Sequence, residues 1–235
     1  VQGSGAAAVV APARGTACSP ASADRTTNVL CHILGGWNAA AATAGGIALD
    51  TRQVSNSLFS YLDVRQSETG VRVGNICYSN EYMHIQASGC DTAFHADNGS
   101  NENSFVKCRA SGVEIGFLFE DGANAAMNNV IIDRCTVETF SVAAIRLDHS
   151  ATAGDNFDNF RIRDTRMTSG PVGVDLVEQG AGEITNLRIE ELGDDGVTDI
   201  LEWEIGVNTY TSGNSTVLTT MRGDRNFLMT HGGKI

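Results

Sequence analysis

Three carboxylates of this chain, Asp97, Glu120 and Asp148, recur at steps of 23 and 28 residues, each three residues past the first apolar position of one repeated phrase. If successive phrases stack as strands about 4.8 Å apart, the three form a ridge. Carboxylates about 5 Å apart have the separation of a retaining glycosidase pair; those two steps apart, at about 10 Å, slightly exceed the inverting range. Crowding raises the pKa of one member and so creates a general acid. The same oxygens would also suit a hard cation such as calcium, the one cofactor the sequence leaves open. Against this, Asp97-Asn98-Gly99 and Glu120-Asp121-Gly122 are ordinary turn sequences that release a chain from a strand. The ridge therefore reads either as an acidic site or as turn chemistry on a solvated edge.

A second set lies on another strand-like segment. Asp133, Arg163 and Glu190 are spaced to form an outward acid–base–acid column. Asp133 and Glu190 are its catalytic candidates, and Arg163 and Arg161 its substrate-binding ones. Tyr82, with Tyr61 and Phe160 nearby, would supply a stacking aromatic. The alternative is an alternating-charge surface whose cross-strand pairs each contribute about 0.2–1 kcal/mol. The histidines at 32, 84, 95, 149 and 231 show no metal-ligand spacing, and no Cys-x-x-Cys pair supports a zinc site, so no metal ligands are assigned.

The elements that must position these residues announce themselves as a repeat. Gly46-Ile47-Ala48-Leu49, Gly70-Val71-Arg72-Val73, Ala93-Phe94-His95-Ala96, Gly116-Phe117-Leu118-Phe119, Ala144-Ile145-Arg146-Leu147 and Gly173-Val174-Asp175-Leu176 share a small residue and an apolar–variable–apolar triplet, at steps of 24, 23, 23, 28 and 29 residues. A second ladder precedes it: Val64, Ile85, Phe105, Ile132, Ile162 and Ile189, followed three residues later by Ser67, Ser88, Cys108, Cys135, Thr165 and Leu192. Two ladders advancing together, with alternating apolar residues and no sustained helical period, predict an all-β solenoid: a parallel β-helix of six to seven coils. Residues 28–207 form it, with an irregular lead-in at 1–27 and a C-terminal β cap at 208–235. Val1 in place of an initiator Met is expected of a processed or excised portion.

Cys108 and Cys135 fall in one inward column and are expected to be free core thiols, while Cys77 and Cys90 fall on different strands. Cys18 and Cys31, flanking an irregular segment, are the pair for any bridge. A net charge of −12 argues against nucleic acid as partner and against an anionic membrane surface. No apolar run reaches the roughly 20 residues a bilayer span requires, so no membrane insertion is expected.

The Gly-Val-x-Val phrases, and Asn129 to Val137 with Ala144 to Leu147, resemble the right-handed parallel β-helix of the pectate-lyase-like group, and within it bacteriophage tailspikes and tail fibres. The resemblance implies a virion-tail or virion-surface protein, a homotrimer joined to other virion proteins, that binds and in many members cleaves bacterial surface polysaccharide. If enzymatic it would be a depolymerase, a glycoside hydrolase before a lyase. Two alternatives are a purely structural fibre or decoration component and a secreted, extracellular polysaccharide lyase or hydrolase. Gly193-Asp194-Asp195-Gly196 resembles the paired-aspartate motif of polygalacturonases, but the companion motifs are missing.

Overall fold

Apolar–polar alternation on segments of three to six residues, broken at short intervals, leaves no stretch long enough for a helix, and the described chain is all strand and turn. A computed structural model describes residues 46–74, 77–97, 99–120, 126–149, 157–178 and 184–205, with the short strands Val9–Val10, Val29–Cys31 and Leu218–Met221. Cys18, the remainder of the lead-in and most of the proposed cap lie outside the described residues. Val9–Val10 pairs with Ile47–Asp50, and Leu218–Met221 with Arg188–Ile205.

The fold is a parallel β-solenoid with three main faces per turn, and in the later turns a short fourth ladder of Met127–Asn128, Phe157–Asp158 and Ile184–Thr185. The first face stacks Ser57–Ser60, Glu81–Met83, Ser104–Val106, Ile131–Asp133, Arg161–Arg163 and residues 188–190. Asp63–Arg65, Gln86–Ser88 and residues 109–111, 136–138, 166–168 and 193–195 make the second. The third runs from Ile47–Asp50 through Thr69–Val73 and Thr92–Asp97 to residues 199–205. Four turns, from Glu81 to Glu178, have parallel neighbours on both sides of every face, fewer than the six to seven expected; beyond them the stacking has a described partner on one side only or on some faces only.

The core is a set of columns. Phe59, Tyr82, Phe105, Ile132, Ile162 and Ile189 share one, all at most 4% exposed. Phe59–Tyr82 and Tyr82–Phe105 stack with ring centroids 5.2 and 5.0 Å apart. This corrects the second ladder at its start: Phe59 and Tyr82, not Val64 and Ile85, share the column of Phe105. Val64 instead shares a column with Ala87 and Ala110. The first phrase is also displaced, because Leu49 rather than Ile47 faces Val71, which puts Ala48 in the small position. Cys77, Cys90, Cys108 and Cys135 are free and buried, and burial pushes the Cys135 thiol well up.

The corners are built from residues in the left-handed region. Asn56, Ser79, Glu102, Asn129, Asn159 and Asn186 form one ladder of positive φ; Tyr61, His84, Lys107, Arg134 and Asp164 a second; Gln66, Gly89, Gly112, Thr139, Ser169 and Gly196 a third. In the first two ladders the corner N–H donates to a carbonyl of the following turn, as from Ser79 to Asn101 (3.2 Å) and from Lys107 to Asp133 (2.9 Å). Left-handed φ costs a non-glycine residue about 1–2 kcal/mol, and Thr139, exposed and β-branched, takes the full penalty at φ 54°. Glycine forfeits part of that gain through its own chain entropy. Thr139→Gly is therefore expected to raise the unfolding free energy by about 0.5–1 kcal/mol in urea denaturation. A loss of stability would refute this account of the corner.

Candidate functional site

Because the turns are in register, residues far apart in sequence become outward neighbours. On the first face Asp133, Arg163 and Glu190 occupy one column. Arg163 Nε donates to Asp133 Oδ1 at 2.7 Å, and Arg134 Nη2 to Asp133 Oδ2 at 2.9 Å. Glu190 Oε2 accepts from Arg161 Nη2 at 2.9 Å, and its Oε1 lies 3.4 Å from Arg188 Nε. The Asp133 side chain is only 4% exposed, and this burial on its own raises its pKa. The guanidinium groups of Arg163 and Arg134 outweigh burial and hold the carboxyl below its ordinary value. Such a group does not carry a proton to a leaving oxygen at neutral pH. Asp133 and Glu190 thus stand about 10 Å apart with a guanidinium between them.

A depressed folded pKa stabilises above the unfolded value of about 3.9, and that contribution disappears as pH falls through the folded value. Asp133→Asn is expected to cost about 1–2 kcal/mol at pH 7 and clearly less below about pH 3. Urea midpoints across pH test this; an equal loss at both ends would show that charge is not the cause.

The acidic ridge also exists as a column: Glu120 is in register with Asp97 on one side and Asp148 on the other. Asp50 is not part of it, since Asp50 faces Arg72. The column two residues earlier on each strand, on the same outward side, runs Arg72, His95, Leu118 and Arg146, and its three polar members pair the ridge. Arg72 Nη2 donates to Asp97 Oδ2 at 2.6 Å, His95 Nε2 lies 3.0 Å from Glu120 Oε2, and Arg146 Nε lies 3.2 Å from Asp148 Oδ2 and 3.4 Å from Asp175 Oδ2. The bond to His95 is the main reason that Glu120 lies below the usual carboxylate range. Gly74 makes room for Asp97: a Cβ at that position would sit 1.7 Å from its Oδ1. The carboxylates turn toward separate Arg or His side chains, and among the described residues no group of three or more His, Cys, Asp or Glu side chains is placed to hold a metal ion.

Tyr82 is corrected as a substrate-stacking residue. It is fully buried between Phe59 and Phe105, and its hydroxyl is 2.7 Å from Thr51 Oγ1. Phe160 is buried as well. Both positions are inward on the strand period; for Tyr82 the misplaced start of the ladder concealed that parity. Of the three aromatics Tyr61 alone is at the surface, 66% exposed and stacked on His84 with centroids 5.0 Å apart; Tyr78 is exposed too. Arg161 and Arg163 are partly exposed, each with an acidic partner.

No protein-family model, curated protein or solved structure matches the chain.

Proposed function

We propose that the chain is a surface-displayed solenoid that binds bacterial surface polysaccharide along its outer faces, as a tailspike-like or tail-fibre-like domain on a virion, without cleaving it at the carboxylates singled out above. The observation that carries this reading is the pairing of all five: Asp133, Glu190, Asp97, Glu120 and Asp148 each lie within ion-pair distance of Arg or His. Glycoside hydrolysis needs one protonated carboxyl beside one free carboxylate, and the pairing of Asp133 and of Glu120 opposes their protonated forms. Stacked polar ladders on a rigid frame support binding of an extended polymer, since ordering costs are already met by the fold. Homotrimer assembly and attachment to other virion proteins belong to the same proposal and rest on the resemblance.

A structural fibre component is the second reading, favoured by the continuous buried column that begins with the Phe59–Tyr82–Phe105 stack and by paired surface charges such as Arg163 with Asp133. One experiment separates the readings. The purified protein is incubated with capsule and lipopolysaccharide preparations, following reducing ends, the ultraviolet absorbance of unsaturated uronate, and retention on the immobilised polymers. Retention with neither chemical signal is the expected result. Reducing ends would indicate a hydrolase, unsaturated product a lyase, and absence of retention across the panel the fibre role.

A further inference from the structure

The corner after the first face carries side chains that the turn itself does not need. Tyr61, His84, Lys107, Arg134 and Asp164 hold φ between 48° and 57°. That conformation is easiest for Gly or Asn, and the neighbouring corner uses Asn at 56, 129, 159 and 186. A tyrosine held there at φ 57° is a strained choice, and such strain persists where the surroundings or a function require the side chain. Tyr61 is 66% exposed, and its ring lies nearly parallel to the His84 ring, at 11°. One turn further on, Lys107 is exposed and makes no ion pair among the described residues. It differs in this from Arg134, which holds Asp133 at 2.9 Å. Met83 and Val106, half-buried on the first face just before this corner, supply an apolar flank to His84 and Lys107.

We propose that the Tyr61–His84–Lys107 ridge is a binding site for a carboxylated saccharide, the charged sugar of an anionic surface polysaccharide. Its occupant rests on the polysaccharide-binding reading above and narrows it to one sugar class and one corner. The saccharide runs along the solenoid axis. The apolar side of one sugar ring packs against the exposed Tyr61–His84 pair, and a carboxylate meets the Lys107 ammonium about 10 Å away, two turns on. An amphipathic aromatic pair fits sugar C–H groups while leaving hydroxyls in water. An unpaired lysine favours the charged sugar over a neutral one, with a salt dependence that a purely stacked contact lacks.

The test is calorimetric titration of the full chain with oligogalacturonate, a hyaluronan oligosaccharide and oligosialic acid as carboxylated probes, and with maltotriose and dextran as neutral ones. Variants are Tyr61→Asn, which keeps a residue suited to the corner, Lys107→Asn, and Arg166→Gln on the second face as a control. At least one carboxylated probe is expected to bind and the neutral ones not, with roughly a tenfold weakening in each corner variant and none in the control. Lys107→Asn should also flatten the salt dependence. Circular dichroism and urea midpoints show that each variant remains folded. Binding that survives both corner substitutions, or no binding by any carboxylated probe, overturns the site. Capsule preparations then decide the rest: retention of the protein leaves polysaccharide binding standing with its site elsewhere, whereas no retention removes both.

Discussion

Phe105→Ala is expected to cost about 3–5 kcal/mol of unfolding free energy, a large share of the roughly 5–15 kcal/mol that holds a domain together. Phe105 is where two aromatic sets meet. It stacks on Tyr82 and meets Phe94, Phe117 and Phe119 edge-on, at centroid distances of 5.8, 5.6 and 5.9 Å. Phe94 and Phe117 are themselves stacked at 4.6 Å. Removing the ring opens a cavity bordered on the first and third faces, and strands pinned above and below by backbone bonds collapse poorly into it. Urea denaturation gives the number. A loss under about 1 kcal/mol would mean that the interior repacks freely and that the columns do not fix the fold.

The second large effect is expected where a methyl group has no space. Gly116→Ala places Cβ 2.5 Å from the carbonyl oxygen of Ala144 and 2.7 Å from Val137 Cγ1. The first of these is backbone of the next turn and moves only if the turns separate. A cost at the upper end of the overpacking range, about 3 kcal/mol, is expected. Gly70→Ala should behave alike, because its Cβ would meet the Ala93 carbonyl oxygen at 2.5 Å. Gly193→Ala is the control: its Cβ meets nothing nearer than 3.8 Å, so the change should stay within about 0.5 kcal/mol. Thermal or urea midpoints of the three rank them directly. Equal effects at 116 and 193 would show that the crowding is relieved without cost.

The same glycines explain why the repeat is visible in the sequence. Gly70, Ala93, Gly116, Ala144 and Gly173 follow one another in a single column, glycine and alanine alternating. Each alanine has a glycine on either side, so the small position of the phrase is a packing requirement between turns. At residues 46–49 the reading slipped by two, because apolar alternation is unchanged by a two-residue shift. The early first-face ladder failed for a related reason. Ile85 and Tyr82 are three residues apart and both buried, so hydrophobicity alone does not say which one faces Phe105.

The outward columns were legible from spacing: Asp97–Glu120–Asp148 and Asp133–Arg163–Glu190 are both in register. Their chemistry was not. Asp97 is paired with Arg72 and Glu120 is hydrogen-bonded to His95, each from the preceding turn and 25 residues away in sequence. No local motif records such a contact. The corners were partly hidden: among the described residues the first ladder is mostly Asn, at 56, 129, 159 and 186, but the second carries Tyr, His, Lys, Arg and Asp with no common type.

Those corners bear on how the molecule is made. In the first two ladders a corner residue of one turn donates its N–H to a carbonyl that arrives only with the next, as from Asn129 to Asp158 at 3.0 Å and from Asp164 to Glu190 at 3.1 Å. A newly laid turn is therefore left with strained corners whose donors face water until its successor docks. Growth from the N-terminal end, in the order of synthesis, would always be one turn behind its own stabilisation. Cooperativity then runs from neighbour to neighbour along the axis, and an interrupted chain would fray from its last turn inward.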